Sequence, residues 1–365
     1  MQFGLSESQQ ILKNNARKFF AAECPMAEVR RISETETAYD DKLWRSMAAQ
    51  GFLGVLIPEE AGGMGLGMVE LAALAEEMGR ALVPGAFLST LLASTVIHEA
   101  GSVRHLAQIA SGDVKATVAL LEAGGSWNPD AVAMKGLTGE KLFVPDASAA
   151  DVMVVVARDG GELALYLVEA KSAEISPMPS MDLTRRLCRV KFDDAPGELL
   201  ARGDAARNAI ERAMDVATVA LCAEITGGMQ RTMEMAVEYA KTRKQFGKPI
   251  GQYQAVQHQC ADMLIWTESS RSAAYYAAWA FENGTPDARA AVSVAKVYSS
   301  DACREVGNRG VQVQGGMGFT WENDVHLFYR RAKASEIEFG DATFHRERIA
   351  RLVIDKMNAR TAVGV

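Results

Sequence analysis

Cysteine is scarce in this chain, and Cys24, Cys188, Cys222, Cys260 and Cys303 are odd in number, widely scattered and form no Cys-x-x-Cys pair. Neither a disulfide framework nor a thiolate zinc site follows from such a set. The histidines His98, His105, His258, His326 and His345 include no His-Glu-x-x-His and no pair at helical ligand spacing, so no metal centre is expected. Long apolar runs are missing too. The longest uninterrupted aliphatic stretch, Val152 to Ala157, falls far short of the ~20 residues that span a bilayer. The opening Met1-Gln2-Phe3-Gly4-Leu5-Ser6 lacks the basic and apolar regions of a signal peptide. A cytoplasmic protein with no membrane span is the expectation. Positive charge is not in excess: Lys+Arg 39 against Asp+Glu 46 leaves a net charge of -7. With no overall basic field to neutralise a phosphate backbone, nucleic acid is not an expected partner.

What is present is an ordinary globular composition, 48% apolar and 23% charged, in 365 residues. At roughly 150 residues per domain that length suggests two or three domains. Up to about residue 113 the pattern is helical, broken by turns. Ser6-Glu7-Ser8-Gln9 has the form of a capping box, a second helix is expected from Asp41 to Gly51, and a third from Met68 to about Gly79. From about 114 to 203 the character changes to short β-branched or aliphatic runs. Val114–Leu121, Lys141–Val144, Asp151–Ala157, Leu163–Val168 and Cys188–Phe192 read as strands, and Asp159-Gly160-Gly161 as a hairpin turn. From 204 to the end long helices return, one reaching about Thr242, one from about Tyr253 to Phe281, one capped by Asp287 and ending at Gly315-Gly316, and one capped by Asp341 that runs to about Met357. The fold class expected is α+β: an N-terminal helical domain (1–113), a small, mainly antiparallel β domain (114–203) and a C-terminal helical bundle (204–365).

Three segments carry candidate chemistry. The glycines of Gly62 to Gly67 follow a Pro-Glu-Glu turn instead of the first strand of a βαβ unit, so a tight turn is preferred to a dinucleotide loop. Arg243-Lys244-Gln245-Phe246-Gly247-Lys248-Pro249, followed by Gln254, brings a guanidinium fork, an aromatic and amides to one helix junction, a set able to hold phosphate and pack on a planar ring. A solvated helix end would look the same from composition. Gln312-x-x-Gly315-Gly316 combines amide donors and acceptors with glycines that admit a ligand or a second backbone, or simply a tight connection.

Taken together, Arg243-x-x-Phe246-Gly247, Gln254 and Gln312-x-x-Gly315-Gly316 resemble the C-terminal signatures of the acyl-CoA dehydrogenase family. Val55-x-x-Pro58-Glu59-x-x-Gly62-Gly63 looks like that family's N-terminal loop, and the helical, β, helical order is its architecture. Asp182-Leu183-Thr184-Arg185 and Phe339-Gly340-Asp341 resemble its shorter bacterial subunits. The resemblance implies FAD as cofactor, an acyl-CoA substrate desaturated between its α and β carbons, an electron-transfer flavoprotein as acceptor and a homo- or heterotetramer. It also implies that Arg243, Phe246 and Gln254 contact the pyrophosphate and adenine side of FAD, that Gln312, Gly315 and Gly316 bind the same cofactor, and that this FAD sits mainly on a neighbouring chain.

Departures from the family pattern are as informative. Where members carry Thr-Glu-Pro-x-x-Gly-Ser and Trp-x-Thr to hold the flavin ring, this chain has Leu121-Glu122-Ala123-Gly124-Gly125-Ser126 and Phe143-Val144-Pro145. Both threonine hydroxyls are gone and Pro145 has no N–H to offer, though Phe143 can pack on a flavin. Phe339 stands where the proton-abstracting glutamate is expected, and the alternative base position falls at Ala217. Glu338 and Asp341 flank the first position, Asp215 lies near the second, and Asp341 also has a sufficient role as a helix cap. Glu338 and Asp341 are therefore the candidate bases. Alternatives are a non-catalytic subunit that completes the FAD site of a related chain, and a family member with altered thioester chemistry.

Overall fold

In the computed structural model, which describes residues 4–355, the chain gathers into two compact units. One holds the chain up to Met26, Met68–Val83 and everything from Thr218 on, and the other holds Ala27–Gly67 and Pro84–Ala217. The stretch up to residue 113 is thus shared between them.

The second unit carries all the longer strands: β1 (Ala116–Ala119), β2 (Gly139–Pro145), β3 (Val152–Asp159), β4 (Glu162–Glu169), β5 (Glu174–Met178), β6 (Leu187–Phe192) and β7 (Glu198–Arg202). They form one sheet of order β1-β3-β4-β7 and another of order β2-β6-β5. Every pairing is antiparallel except β1 with β3. Met153, Val155 and Ala157 of β3 and Val168 of β4 share one buried cluster with Val144 of β2 and Cys188, Val190 and Phe192 of β6, so the two sheets face each other across a common core. The expected hairpin is present: Asp159 pairs with Glu162, and Gly160 and Gly161 take φ of 58° and 90°. β5 and β7 escaped the sequence reading because they are edge strands, half exposed and without apolar alternation. Pro177 in β5 is tolerated on such an edge. The glycine loop behaves as a turn, with Gly62 and Gly65 at φ 85° and 58°. Helices α2 (Met26–Ser33), α3 (Asp41–Ala49), α5 (Phe87–Glu99) and α6 (Leu106–Ala110) complete this unit. In α5 Phe87 to Ser94 are all buried, so it has no polar face to reveal a helical period in the sequence. It is tied to β1 by Thr90, whose Oγ1 donates to the Ala116 carbonyl at 3.0 Å.

The first unit is helical: α1 (Glu7–Glu23), α4 (Met68–Arg80), the later part of α7 (Asp204–Thr242), α8 (Gln254–Glu282), α9 (Ala288–Gln314), α10 (Val325–Ile337) and α11 (Ala342–Ala350). The capping box forms as expected: Ser6 Oγ accepts the Gln9 N–H while the Gln9 side chain accepts the Ser6 N–H. α9 is the central helix, with α8, α10 and α11 packed around it. Asp287 precedes α9 but does not cap it with its side chain. Its carboxylate instead accepts from Tyr276 Oη (2.7 Å) and Thr285 Oγ1 (2.7 Å), because Asp287 already has an αR-like backbone (φ -100°, ψ 2°) that turns the side chain away from the first N–H groups. The last helix starts where expected, but α-geometry stops at Ala350 and a π-helical turn covers Arg351–Asp355; Met357 lies outside the described residues. Among the described residues no helix is long and apolar enough to cross a membrane, and no cluster of His, Cys, Asp and Glu is arranged to hold a metal ion.

Candidate functional site

Beyond Thr242 the chain reverses through β8 (Lys244–Gln245) and β9 (Lys248–Pro249) before α8 begins. Gln245 pairs with Lys248, leaving Phe246 and Gly247 as the turn, at φ 51° and 81°. Positive φ at both positions is the type I′ pattern of a two-residue hairpin, which Asn-Gly supplies without strain and phenylalanine does not. Phe246 is nevertheless 92% exposed, so the strain is not repaid by burial. Its ring meets Tyr253 edge-on at 6.5 Å, Tyr253 Oη donates to the Gln245 carbonyl at 3.1 Å, and the Lys248 ammonium lies 4.3 Å from the Tyr253 ring centre. Arg243 closes the hairpin through its carbonyl, which accepts the Ile250 N–H at 2.8 Å, while its exposed guanidinium makes no ion pair among the described residues. Gln254, exposed, opens α8. Arg243, Phe246 and Gln254 are thus assembled at one junction, with a free cationic fork beside a protruding aromatic ring.

A second predicted group sits where α9 ends. Gly315 has φ 59° and ψ -138°, a backbone conformation close to glycine's exclusive territory, and a Cβ on Gly316 would meet nothing within 4 Å. Of the two glutamines, Gln314 is buried and accepts from Asn323 Nδ2 at 2.6 Å, so it holds the loop; Gln312 is exposed and its amide is left available. Gln312, Gly315 and Gly316 lie within a single turn.

The third group is the bend between α10 and α11. Glu338 is half-buried at the end of α10, Phe339 follows at φ 59° and is only 1% exposed, and Gly340 has φ 99°. A Cβ on Gly340 would lie 2.4 Å from the Phe344 ring. Asp341 is exposed and accepts the Phe344 N–H at 2.8 Å, which makes it the N-cap of α11. Of the residues in this bend, the one whose side chain is directed into the protein is Phe339.

Phe143 belongs to the other unit. It occupies a bulge in β2, where the pairing with β6 shifts between Lys141 and Val144, at φ 54° and 39% exposed. All three phenylalanines singled out from the sequence, Phe143, Phe246 and Phe339, are therefore non-glycine residues with left-handed backbones. Strain of that kind persists only where surrounding structure imposes it, and it concentrates at functional sites. The polar groups near Phe143 are already engaged. Lys141, wholly buried, donates to Glu122 Oε1 at 2.7 Å and to the Leu120 carbonyl at 3.2 Å, and the Glu122 carboxylate also accepts the N–H groups of Ala133 and Met134. Burial pushes the Glu122 pKa upward, but the Lys141 hydrogen bond and those two backbone donors outweigh it and hold the carboxyl below its ordinary value. The Pro145 carbonyl accepts from Thr117 Oγ1 at 2.5 Å.

Among the buried polar residues whose burial sequence reasoning did not foresee are Lys141, Lys296 and His345. The one available signal was a lysine amid the Ala, Val and Ser of α9, with Ser300 one turn further on. Lys296 is wholly buried beneath the end of α10, and burial pulls its pKa down, as it pushes the thiols of Cys222 and Cys303 up to about 12. Those cysteines are buried, protonated packing residues.

Two facing sheets followed by a bundle of long helices, with an exposed Arg-Phe hairpin and a glycine turn, define a helical–β–helical protein. Comparison with known proteins makes the class specific. The chain matches the family models for the acyl-CoA dehydrogenase N-terminal domain over residues 6–113 and C-terminal domain over residues 207–354. It is 32% identical over 349 residues to acyl-CoA dehydrogenase IpdE2 of Mycolicibacterium smegmatis, covering 95% of this chain and 98% of that protein. The chain belongs to the acyl-CoA dehydrogenase family. Similar solved structures include the ChsE4–ChsE5 complex of Mycobacterium tuberculosis, with a TM-score of 0.86 and 28% identity over 96% of this chain and 98% of that one. The FAD complex of PigA gives a TM-score of 0.88 and 26% identity over 96% and 98% of the two chains.

Proposed function

We propose that this chain serves the FAD-dependent α,β-desaturation of an acyl-CoA thioester in the cytoplasm. The observation that carries this reading is the Arg243–Phe246–Gln254 junction, where a free guanidinium, an exposed aromatic on a strained turn and an amide stand together. These residues fit the pyrophosphate and adenine side of FAD: the fork matches phosphate geometry and the ring offers a stacking face. Gln312 adds an amide, and Gly315 and Gly316 leave room for a close approach. When bound, FAD supplies an acceptor for the hydride leaving the β-carbon. Of this chain's own groups, Glu338 is the half-buried carboxylate nearest in sequence to the position of the usual base, and Asp341 is engaged as a helix cap. The electron-transfer flavoprotein as final acceptor rests on the family resemblance.

A second reading is favoured by a specific observation. The cofactor-side residues of the helical unit are exposed and available, whereas Glu122, Lys141 and Pro145 of the β unit are engaged with one another or with neighbouring backbone, and Phe339 cannot take a proton. Such a chain suits a heterotetramer in which it completes the FAD site of a related catalytic subunit, with altered thioester chemistry as the remaining alternative. The ChsE4–ChsE5 complex shows that this architecture is found in a two-component assembly.

The test is the visible spectrum and solution mass of the purified chain, alone and co-expressed with a companion acyl-CoA dehydrogenase subunit, before and after addition of a panel of acyl-CoA thioesters. Flavin that bleaches in the chain alone establishes a self-sufficient dehydrogenase. A colourless chain that yields a yellow, bleachable heterotetramer on co-expression establishes the second reading. Flavin that never bleaches in either preparation overturns desaturation.

A further inference from the structure

The most unusual buried group in the helical unit is Lys296. Its side chain is 0% exposed, and its Nζ donates to the carbonyls of Ser335 and Glu336, both at 2.9 Å, and to Ser300 Oγ at 3.0 Å. An ammonium taken out of water costs several kcal/mol unless its protons are all engaged, and here three acceptors engage them. The two carbonyls belong to the last turn of α10, where unsatisfied C=O groups and the negative end of the helix dipole both favour a cation. Helices usually end there with water or a glycine cap; this one ends on a lysine from the central helix. Glu338 follows in extended backbone (φ -65°, ψ 136°), and Phe339 and Gly340 then turn through left-handed backbone. On the far side of the bend the buried His345 places Nε2 3.0 Å from the Phe339 carbonyl. The bend is thus gripped at both ends, by Lys296 from α9 and His345 from α11.

We propose that Lys296 is a positioning residue for the Glu338–Phe339–Gly340 bend, ending α10 at Ile337 so that residue 339 points into the protein and Glu338 is held at its edge. Its connection with catalysis rests on the desaturation reading, since that segment is where the resemblance places proton abstraction. The positioning itself does not depend on turnover. The hydrogen bonds of Lys296 go to α9 and α10, and it acts through the backbone of the bend.

The experiment compares Lys296→Met, which keeps the length and loses the charge, with Glu76→Gln, which weakens a different buried ion cluster in the same helical unit. Amide hydrogen exchange is followed on the full chain, and flavin reduction by acyl-CoA on whichever assembly proves yellow. With Lys296→Met, exchange at residues 338–342 is expected to rise about ten-fold or more while α8 keeps its protection; Glu76→Gln loosens α4 and α8 and leaves 338–342 unchanged. In the active assembly kcat falls about ten-fold with KM within about two-fold, because misplacement of the bend affects the reacting geometry more than binding. Should the methionine variant not fold, Lys296→Gln, which retains an amide donor, carries the same comparison at smaller amplitude. Exchange at 338–342 that is unchanged, or raised no more than in α8 and α9, overturns the proposal. A local rise in exchange without any bleaching assembly upholds the positioning and removes only the desaturation reading.

Discussion

Asp341 shows how a single residue can be a candidate base and a structural cap at once, and how the two roles separate. Asparagine caps a helix about as well as aspartate, whereas alanine forfeits about 1 kcal/mol. Asp341→Asn is therefore expected to retain wild-type stability and activity, and Asp341→Ala to lose stability alone, as measured by urea unfolding and flavin reduction. Loss of activity in the asparagine variant would make Asp341 a proton acceptor after all. Phe246 is the reverse case, exposed and strained, with an edge-on contact to Tyr253 to hold its ring. Phe246→Ala is expected to leave the melting temperature unchanged or slightly raised while FAD dissociates about ten-fold more readily, read by fluorescence of released flavin from whichever assembly is yellow.

Between elements, the helical unit depends on a close crossing of α4 and α7 and on a buried charge cluster beside it. A Cβ on Gly227 would stand 1.8 Å from the Glu76 carbonyl oxygen, and one on Gly79 would stand 1.9 Å from the Glu224 carbonyl oxygen. Backbone lies against backbone, so neither can yield as a side-chain tip would. Gly227→Ala should destabilise by about 3 kcal/mol or prevent folding, measured by chemical denaturation. Glu76, 3% exposed, meets Lys13 (2.5 Å), Arg271 (3.1 Å) and Tyr275 Oη (2.8 Å). Burial raises its pKa, but the Lys13 and Arg271 charges and the hydrogen bonds outweigh burial and leave it below the ordinary value of 4.5. A carboxylate depressed in the folded state contributes stability that is complete above its unfolded pKa and is lost as pH falls through the folded one. Urea midpoints should thus decline below about pH 4.5 in the parent. Glu76→Gln should be less stable at pH 7, by about 3 kcal/mol, with a shallower decline in acid.

At the scale of the molecule, much of the architecture was legible in the sequence because it rests on local signals. The capping box at Ser6, the Gly160-Gly161 turn, the β-branched and aliphatic strand runs and the long helical periods are each encoded within a few neighbouring residues, and each formed. Edge strands β5 and β7 and the largely buried α5 were not legible, since their character comes from what lies beside them. Among the candidate site residues, Arg243, Phe246, Gln254, Gln312, Gly315 and Gly316 could be named because their types and spacing carry the chemistry. Fold class, family and the identity of the departures at Phe339 and Pro145 were all determined by the sequence alone. Only the tertiary structure decided that Gln314 holds the loop and leaves Gln312 free, that Lys141 and Glu122 engage each other, and that Lys296 and His345 grip the bend at Phe339. Those outcomes depend on hydrogen-bond partners far apart in the chain, and a buried donor reveals its acceptor only once packing has brought the two within reach.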